Sequence, residues 1–525
     1  MKNNVLNYRT ETVEKSAFVL AFFTFLGGFL SILRNALLAS YFGASKIVDI
    51  YYASFRVPDF IFNILILGAL AAGFIPLFIK YSKQSQEESY KFASSVITGI
   101  LLLSVILGII FIIFANAIVS RLFPGFDSTS LRTIAALSRI MMIQPIFLGL
   151  ATIIGNILQV HNLFVPQALA PLLYNAGIII GIVVFYPIFG IYGLSYGVIL
   201  GAFLNLLVKY IPFKRINFKF LLPAFDQFKH YLKEFFSLTA FRALSIINIQ
   251  LFLFVISYLS SFLKEGSLSI ITFATNIQDA PRTIFAMSLA IAVFPTLSKC
   301  SAEQNKTEFT KIFSKTITEI LLFIVPIFFG FLVFREQIIR LLLGYGHFNW
   351  EATFTTISVF TILSFGFIFQ CLHDFLLNVL FASNNTFAPF VSGVFSYGIG
   401  ALAAFSLSHV YGIKGIAFGY MIANICYALL LFLNSLRYLD LSFLQPLFKK
   451  IAIIFIAALL SSLLGFWSLL FLRNIFNTAY TIQLFISTAL SAFLMLLAYL
   501  FIIIQLKWEE VRMIKSFIKQ KIFRR

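Results

Sequence analysis

Fourteen apolar stretches run from Ala17 to about Gln505, separated by short polar gaps. Each is long enough to cross a hydrocarbon layer about 30 Å thick, which takes roughly 20 helical residues. With a mean hydropathy of +0.96 and 11% charged residues, a soluble fold could not hide this much apolar surface from water, so lipid must solvate it. The spans fall at residues 17–40, 47–79, 92–117, 131–159, 166–186, 190–212, 234–263, 269–297, 313–333, 351–381, 388–408, 414–437, 450–472 and 481–505. The second is too long for one straight crossing, and Pro58 inside it predicts a kink or an interfacial start. The expected fold class is an all-α polytopic membrane protein with 14 transmembrane helices. The first run is expected to be a retained helix, since it is long and no small-residue cleavage pattern follows it.

The net charge of +19 is sorted along the chain. Lys2, Arg9 and Lys15 precede the first span; Lys80, Lys83 and Lys91 follow the second; Lys209, Lys214, Arg215, Lys219, Lys229 and Lys233 follow the sixth. Lys299, Lys306, Lys311 and Lys315 follow the eighth, Arg437, Lys449 and Lys450 the twelfth, and the tail carries seven more, from Lys507 to Arg525. The alternate loops are poor in basic residues. This is the positive-inside pattern, and it predicts both termini in the cytoplasm with an even helix count. Regular alternation of this kind argues against basic clusters that bind nucleic acid.

The chain also repeats itself. GFIPLFIKYSKQSQEE (73–88) returns as AVFPTLSKCSAEQNKTE (292–308), aligning Pro76 with Pro295. LQVHNLFVPQALAPLLYNAGI (158–178) returns as LFASNNTFAPFVSGVFSYGIG (380–400), and GIYGLSYG (190–197) as GIKGIAFG (412–419). Composition alone does not put Pro, Gly and Asn in register. The expected organisation is a cytoplasmic N-terminus (1–16), a six-helix lobe (17–212), a cytoplasmic linker (213–233), a second six-helix lobe (234–437), a C-terminal helix pair (450–505) and a basic cytoplasmic tail (506–525). Six crossings per copy give a parallel, pseudo-symmetric repeat with a cavity expected between the lobes, an arrangement suited to alternating access.

Ionisable groups at membrane depth are costly and mark cavities or partners. The candidates are Arg34; Asp49, Arg56 and Asp59 near the start of the second span; Arg139; Arg242; Asp279 and Arg282 around Pro281; and the neighbours His373 and Asp374. Arginines facing a wet cavity suit an anionic substrate, because guanidinium binds phosphate in a fork. Arg56 with Asp59, and Asp279 with Arg282, read equally as i,i+3 pairs that neutralise each other. Arg34 has no acidic neighbour at helical spacing and is the best single candidate for substrate contact. Arg139 and Arg242 read as snorkelling groups near helix ends. His373 with Asp374 reads as a packed polar pair, or else as a proton or sodium relay.

Other chemistries lack their residues. There is no GxxxxGK[ST] loop for ATP, and no Asp-rich magnesium–diphosphate pair. The five histidines are dispersed and the three cysteines make no CxxC spacing, so no metal site, disulfide framework, cofactor or catalytic residue is expected. A transporter is expected rather than an enzyme.

The segment LGGFLSILRNALLASYFGASKIVDIYYASFRVPDFIFNILILGALAAGFIPLF (26–78) resembles the opening of the lipid II flippases of peptidoglycan synthesis, the MurJ/MviN family. That family belongs to the multidrug/oligosaccharidyl-lipid/polysaccharide exporter (MOP) superfamily. The resemblance continues through QDAPRTIFAMSLAIAVFPTLSK (278–299), LLLGYGHFN (341–349) and LFASNNTFAPF (380–390), so it covers nearly the whole chain. It implies that Arg34 matches an arginine directed into a cavity, that Asp49 matches an acidic residue close by, and that Asp279 matches a glutamate of the eighth helix. Three further family arginines fall on Gly28, Phe62 and Asn276, and a family glutamate falls on Leu67, so the cavity is expected to be less cationic than the family pattern, with Arg56 and Arg282 partly compensating. The expected substrate-binding set is Arg34, Asp49, Arg56, Asp59, Asn276, Asp279 and Arg282.

The function implied is that of a flippase carrying the undecaprenyl-pyrophosphate-linked precursor lipid II from the inner to the outer leaflet of a bacterial cytoplasmic membrane. The last two helices would help hold the tail, and no cofactor is needed. Moving negative charge outward is downhill in an inside-negative potential by about 2.3 kcal/mol per charge per 100 mV. Lipid II, membrane lipids, a coupling cation and wall-synthesis proteins are the partners in view, with no nucleic acid. The alternatives are an exporter of another lipid-linked oligosaccharide and a cation-coupled multidrug exporter.

Overall fold

The structure, a computed structural model, describes residues 13–64, 69–506 and 508. Leu67, the first twelve residues and nearly all of the basic tail lie outside the described residues. All described regular structure is helical. The helices are α1 (Val13–Phe42), α2 (Lys46–Phe62), α3 (Ala69–Ser82), α4 (Gln86–Leu122), α5 (Ser128–Val160), α6 (Val165–Phe189), α7 (Ile191–Phe213), α8 (Phe225–Ser261) and α9 (Ser267–Ala302). They continue as α10 (Lys306–Leu343), α11 (Trp350–Ala382), α12 (Phe387–Tyr411), α13 (Ile413–Ser435), α14 (Leu444–Arg473) and α15 (Thr481–Gln505). Among the described residues, 12 helices are long and apolar enough to cross a membrane, and Leu26–Phe42 is a shorter apolar helix. The second span expected from sequence is described as two helices, α2 and α3, on either side of residues 65–68, and Pro58 lies buried inside α2.

The repeat read from the sequence recurs in the helix bounds. Residues 128 and 350, 160 and 382, 165 and 387, 189 and 411, 191 and 413, and 213 and 435 are corresponding helix ends, and each pair differs by 222. The punctuation recurs too. Asp127 caps α5 by accepting the Ser130 amide at 3.3 Å, and Asn349 caps α11 by accepting the Ala352 amide at 2.8 Å. The turn after α5 holds Asn162 at φ 59°, and the turn after α11 holds Asn384 at φ 56°. Asn tolerates the left-handed region that ends a helix. Gly190 and Gly412, both at φ 57°, turn the chain into α7 and α13, where a side chain would be strained.

Two compact units form, Met1–Thr272 and Phe273–Arg525. In the first, α6 and α7 approach so closely that a Cβ on Gly177 would lie 2.3 Å from the Gly201 Cα. Helix α8 packs on α3 and α4 and is tied to them along its length. Gln227 and Tyr231 donate to Glu88, Lys80 pairs with Glu234 at 2.6 Å, Tyr81 donates to Glu234, and the Ser261 hydroxyl accepts the Gly125 amide at 3.1 Å. In the second, α11, α12 and α13 pack together, and α10 meets α14 and α15. Leu102, Ile106, Ile109 and Ile113 of α4, and Leu463, Trp467 and Phe471 of α14, are exposed. Apolar faces of this extent are the surface a bilayer covers.

Candidate functional site

In the first unit, Arg34 of α1 is half-buried and forks between two amides. Nη1 donates to Asn175 Oδ1 at 3.1 Å and Nη2 to Asn35 Oδ1 at 3.2 Å, while Asn175 is itself held by donating to the Pro171 carbonyl at 3.0 Å. Both partners are neutral. Among the described residues, therefore, no direct ion pair cancels the Arg34 charge. Asp59, Tyr51 and Tyr174 lie within its electrostatic reach.

Asp59 accepts from Gln144 Nε2 at 3.1 Å and is attracted by Arg56 one turn back on α2. Arg56 Nε donates to Ser257 of α8 at 2.7 Å. Asp49 is used differently. It is 1% exposed, with Oδ2 accepting the Gly266 amide at 2.7 Å and Oδ1 accepting the Ser269 amide at 2.7 Å and the Ser269 hydroxyl at 2.5 Å. It closes the first turn of α9. Ten residues of α2 separate it from Asp59, about 15 Å at helical rise. Arg34, Arg56 and Asp59 are thus brought near one another and Asp49 is not.

In the second unit a chain of four ionisable groups forms. Arg282 Nε lies 3.1 Å from Asp279 Oδ1, and its Nη1 lies 3.4 Å from Asp374 Oδ2. Asp374 Oδ1 lies 3.2 Å from His373 Nε2. So the i,i+3 pair read from sequence exists, and α11 adds a second carboxylate. The Tyr427 ring lies tilted against His373 at 5.3 Å, and Gln370 donates to the Tyr420 hydroxyl at 3.4 Å. Clamped by two carboxylates, Arg282 does not present a free positive charge. Asn276, half-buried on α9, stands one turn before Asp279.

Arg282 opens a π-helical turn, Arg282–Met287, that follows Pro281. Such turns in α-helices mark functional positions frequently. Three residues on, Phe285 stacks on Phe323 at 5.1 Å and lines an apolar cavity of about 400 Å³ between α9, α10 and α15. Pro326, Gly330, Ala492, Met495 and Tyr499 are among its other lining residues. One turn of helix therefore supplies both a charged cluster and an apolar groove.

Of the remaining candidates, Arg139 donates to the Ile112 carbonyl at 3.1 Å, and the Arg242 side chain lies outside the described residues. A Cβ on Gly28 would meet nothing within 4 Å, and Phe62 is half-buried. Sequence reasoning missed Asn175, Gln144 and Ser257 because it weighed only ionisable groups. Amides and hydroxyls at membrane depth carry the same signal more weakly.

The helix order and bounds define an all-helical polytopic membrane fold. An inward-facing multidrug resistance MATE family transporter of the MOP superfamily shares it with a TM-score of 0.64, at 17% identity over 82% of this chain and 99% of that one, a likeness of fold alone. The chain belongs to the lipid II flippase MurJ family, whose sequence model matches residues 38–490. A lipid II flippase MurJ structure in an inward closed conformation has a TM-score of 0.75 at 25% identity, covering 97% of this chain and all of that one. The probable lipid II flippase MurJ of Borreliella burgdorferi is 26% identical over 432 residues, 81% of this chain and 84% of that one. That of Aquifex aeolicus is 28% identical over 376 residues, 70% of this chain and 72% of that one. Membership of this family makes the chain a multi-pass membrane transporter and not an enzyme.

Proposed function

We propose that this chain flips lipid II, an undecaprenyl-pyrophosphate-linked peptidoglycan precursor, from the inner to the outer leaflet of a bacterial cytoplasmic membrane. The observation that carries this reading is the π-turn with Arg282 in a charged cluster and Phe285 in the wall of an apolar groove. A substrate served by both has a charged head and a long apolar tail. Arg34 adds a guanidinium whose hydrogen-bond partners are neutral, so a pyrophosphate gains most there. A pyrophosphate head does not cross hydrocarbon unaided.

The substrate-contacting set in this reading is Arg34, Arg56, Asp59, Asn276, Asp279 and Arg282, with Asp49 acting from the second helix as a positioning group. The chain would make fourteen crossings with both termini cytoplasmic, α2 and α3 together making the second. Residues 17–212 and 234–437 would be two six-helix copies working by alternating access, followed by the 450–505 pair, with 1–16, 213–233 and 506–525 cytoplasmic. The 222-residue recurrence of helix ends and the basic loops support this.

The test is translocation of fluorescent lipid II in vesicles holding the purified chain. Leaflet exchange above that of empty vesicles, lost in Arg34→Ala, is expected. Exchange no faster than in empty vesicles rejects the proposal. A second reading, export of another lipid-linked anionic saccharide, is favoured by Gly28, Phe62 and Asn276 standing where the family pattern has arginine. Competition in the same vesicles separates the two.

A further inference from the structure

His373 is 4% exposed, and its Nδ1 is buried with no hydrogen-bond partner. Its other nitrogen faces Asp374, so the neutral ring carries its hydrogen on Nε2 and leaves an unshared lone pair on Nδ1. The cluster Asp279, Arg282, Asp374 and neutral His373 sums to one negative charge, and one added proton makes it neutral. At membrane depth that difference is large, because charge is poorly solvated there.

We propose that His373 with Asp374 is a proton-binding site whose loading frees Arg282 for an anionic head group. The second half of this rests on the function proposed above. A proton taken from water bonds to the Nδ1 lone pair. The imidazolium then holds Asp374, whose attraction for Arg282 falls, and Arg282 is left with Asp279 alone. Anion binding and proton binding favour each other, and the proton leaves when the anion leaves. A proton fits better than a metal ion. The cluster already contains a guanidinium, and among the described residues no group of three or more His, Cys, Asp or Glu side chains is placed to hold a metal.

The groups around His373 come from four helices besides its own. Helix α9 brings Asp279 and Arg282, α13 brings Tyr420 and Tyr427, and α12 brings Tyr397, whose ring lies 5.2 Å from that of Tyr427. Helix α10 packs through Phe313 on Phe375, and its buried Glu319 is paired with Lys315 at 4.0 Å. On α11 itself, Cys371 sits beside Asp374. The imidazole is the group among these that can take up a proton without becoming a buried neutral acid.

Two measurements on the full-length protein in detergent test this. Ring-nitrogen NMR follows the five histidines, and His373→Asn identifies the His373 signal. The expected result is that the His373 ring takes up a proton reversibly and that Asp374→Asn alters this uptake. A ring that stays in one protonation state at every pH at which the protein is folded, or an Asp374→Asn response identical to wild type, overturns the proton site. Calorimetry with farnesyl diphosphate then reads the link to Arg282. Wild type is expected to bind more tightly as pH falls, approaching about tenfold per unit beyond the dependence of His373→Asn, in which only the ligand's own ionisation remains. Identical pH dependence in the two proteins overturns the link. Titration of His373 without any farnesyl diphosphate binding overturns the anion-carrying function and leaves the proton site upheld.

Discussion

Asp49 and Ser269, 220 residues apart, are joined twice: one carboxylate oxygen accepts both the Ser269 amide at 2.7 Å and its hydroxyl at 2.5 Å. The other oxygen takes the Gly266 amide. Three donors at the start of α9 are therefore satisfied by one buried side chain of α2. Asp49→Ala leaves all three buried and unpaired, which costs roughly 2 kcal/mol or more. Asp49→Asn keeps one acceptor oxygen and should lose less. Thermal unfolding in detergent orders the series wild type, Asn, Ala. An Ala variant as stable as wild type removes the capping role.

Arg34 makes its contacts with the two ends of one guanidinium fork, to Asn175 and Asn35. Lysine keeps the charge but has no fork, and alanine keeps neither. In a strain depleted of its own lipid II flippase, Arg34→Ala is expected to fail and Arg34→Lys to support partial growth, with both proteins present in the membrane at wild-type level. Full growth on the Ala variant would show that the anion is bound elsewhere.

The all-helical, membrane-spanning class was legible before any coordinates, and the reason is physical. Lipid imposes long apolar helices, and Pro, Gly and Asn punctuation recurs along the chain, so Asn162 with Asn384 and Gly190 with Gly412 could be aligned by eye. What stayed hidden was pairing between helices distant in sequence. Arg56 has Asp59 three residues away, yet its Nε donates to Ser257, 201 residues on. Arg282 was paired correctly with Asp279, but Asp374 arrives from a helix 92 residues further along the chain. Asp49 shows the same limit: its spacing suited a cavity, and only the fold reveals that its oxygens are occupied by the start of α9.

The two glycines singled out on α1 and α6 should behave oppositely. A Cβ on Gly177 would lie 2.3 Å from the Gly201 Cα, so α6 and α7 must separate, at a cost of about 1–3 kcal/mol. A Cβ on Gly28 meets nothing within 4 Å, and alanine is the better helix former by roughly 0.8–1.0 kcal/mol. Gly177→Ala should lower the unfolding temperature and Gly28→Ala should not. Equal destabilisation by both would contradict the close packing of α6 on α7.

Lys46, at the very start of α2 and ahead of the 47–79 span, meets Asp127, the cap of α5, at 2.6 Å, and Lys46 also lies 3.8 Å from Glu265. The hydrogen bond from Lys46, with those from Thr129 and Ser130, holds the Asp127 carboxyl well below the usual carboxylate range, and the same bond raises Lys46. A lowered carboxylate contributes fully above its unfolded value and loses that contribution as pH falls through the folded one. A raised lysine contributes fully below its unfolded value and loses it as pH rises through the folded one. The pair is therefore complete from about pH 4 to pH 10. The difference in unfolding temperature between wild type and Asp127→Asn should be small and constant between about pH 5 and pH 9, since the pair is exposed. A difference that varies within that window would mean that another group controls it.

The apolar groove gives the sharpest separation of head from tail. Gly330 lines it, and a Cβ there meets nothing within 4 Å, so a large side chain enters the cavity of about 400 Å³ without displacing the helices. Gly330→Phe should fold normally and occupy the volume that an undecaprenyl tail would use, while leaving Arg34 and Arg282 untouched. In vesicles, flipping of lipid II with its full tail should fall by about tenfold or more, the order expected when roughly 1.4 kcal/mol of apolar contact is lost. A lipid II analogue with a much shorter prenyl chain, which reaches less of the groove, should lose far less. Equal loss for both tails would mean that the substitution damaged the fold or the head-group site, and unchanged flipping of the long-tailed substrate would mean that the tail travels along another face.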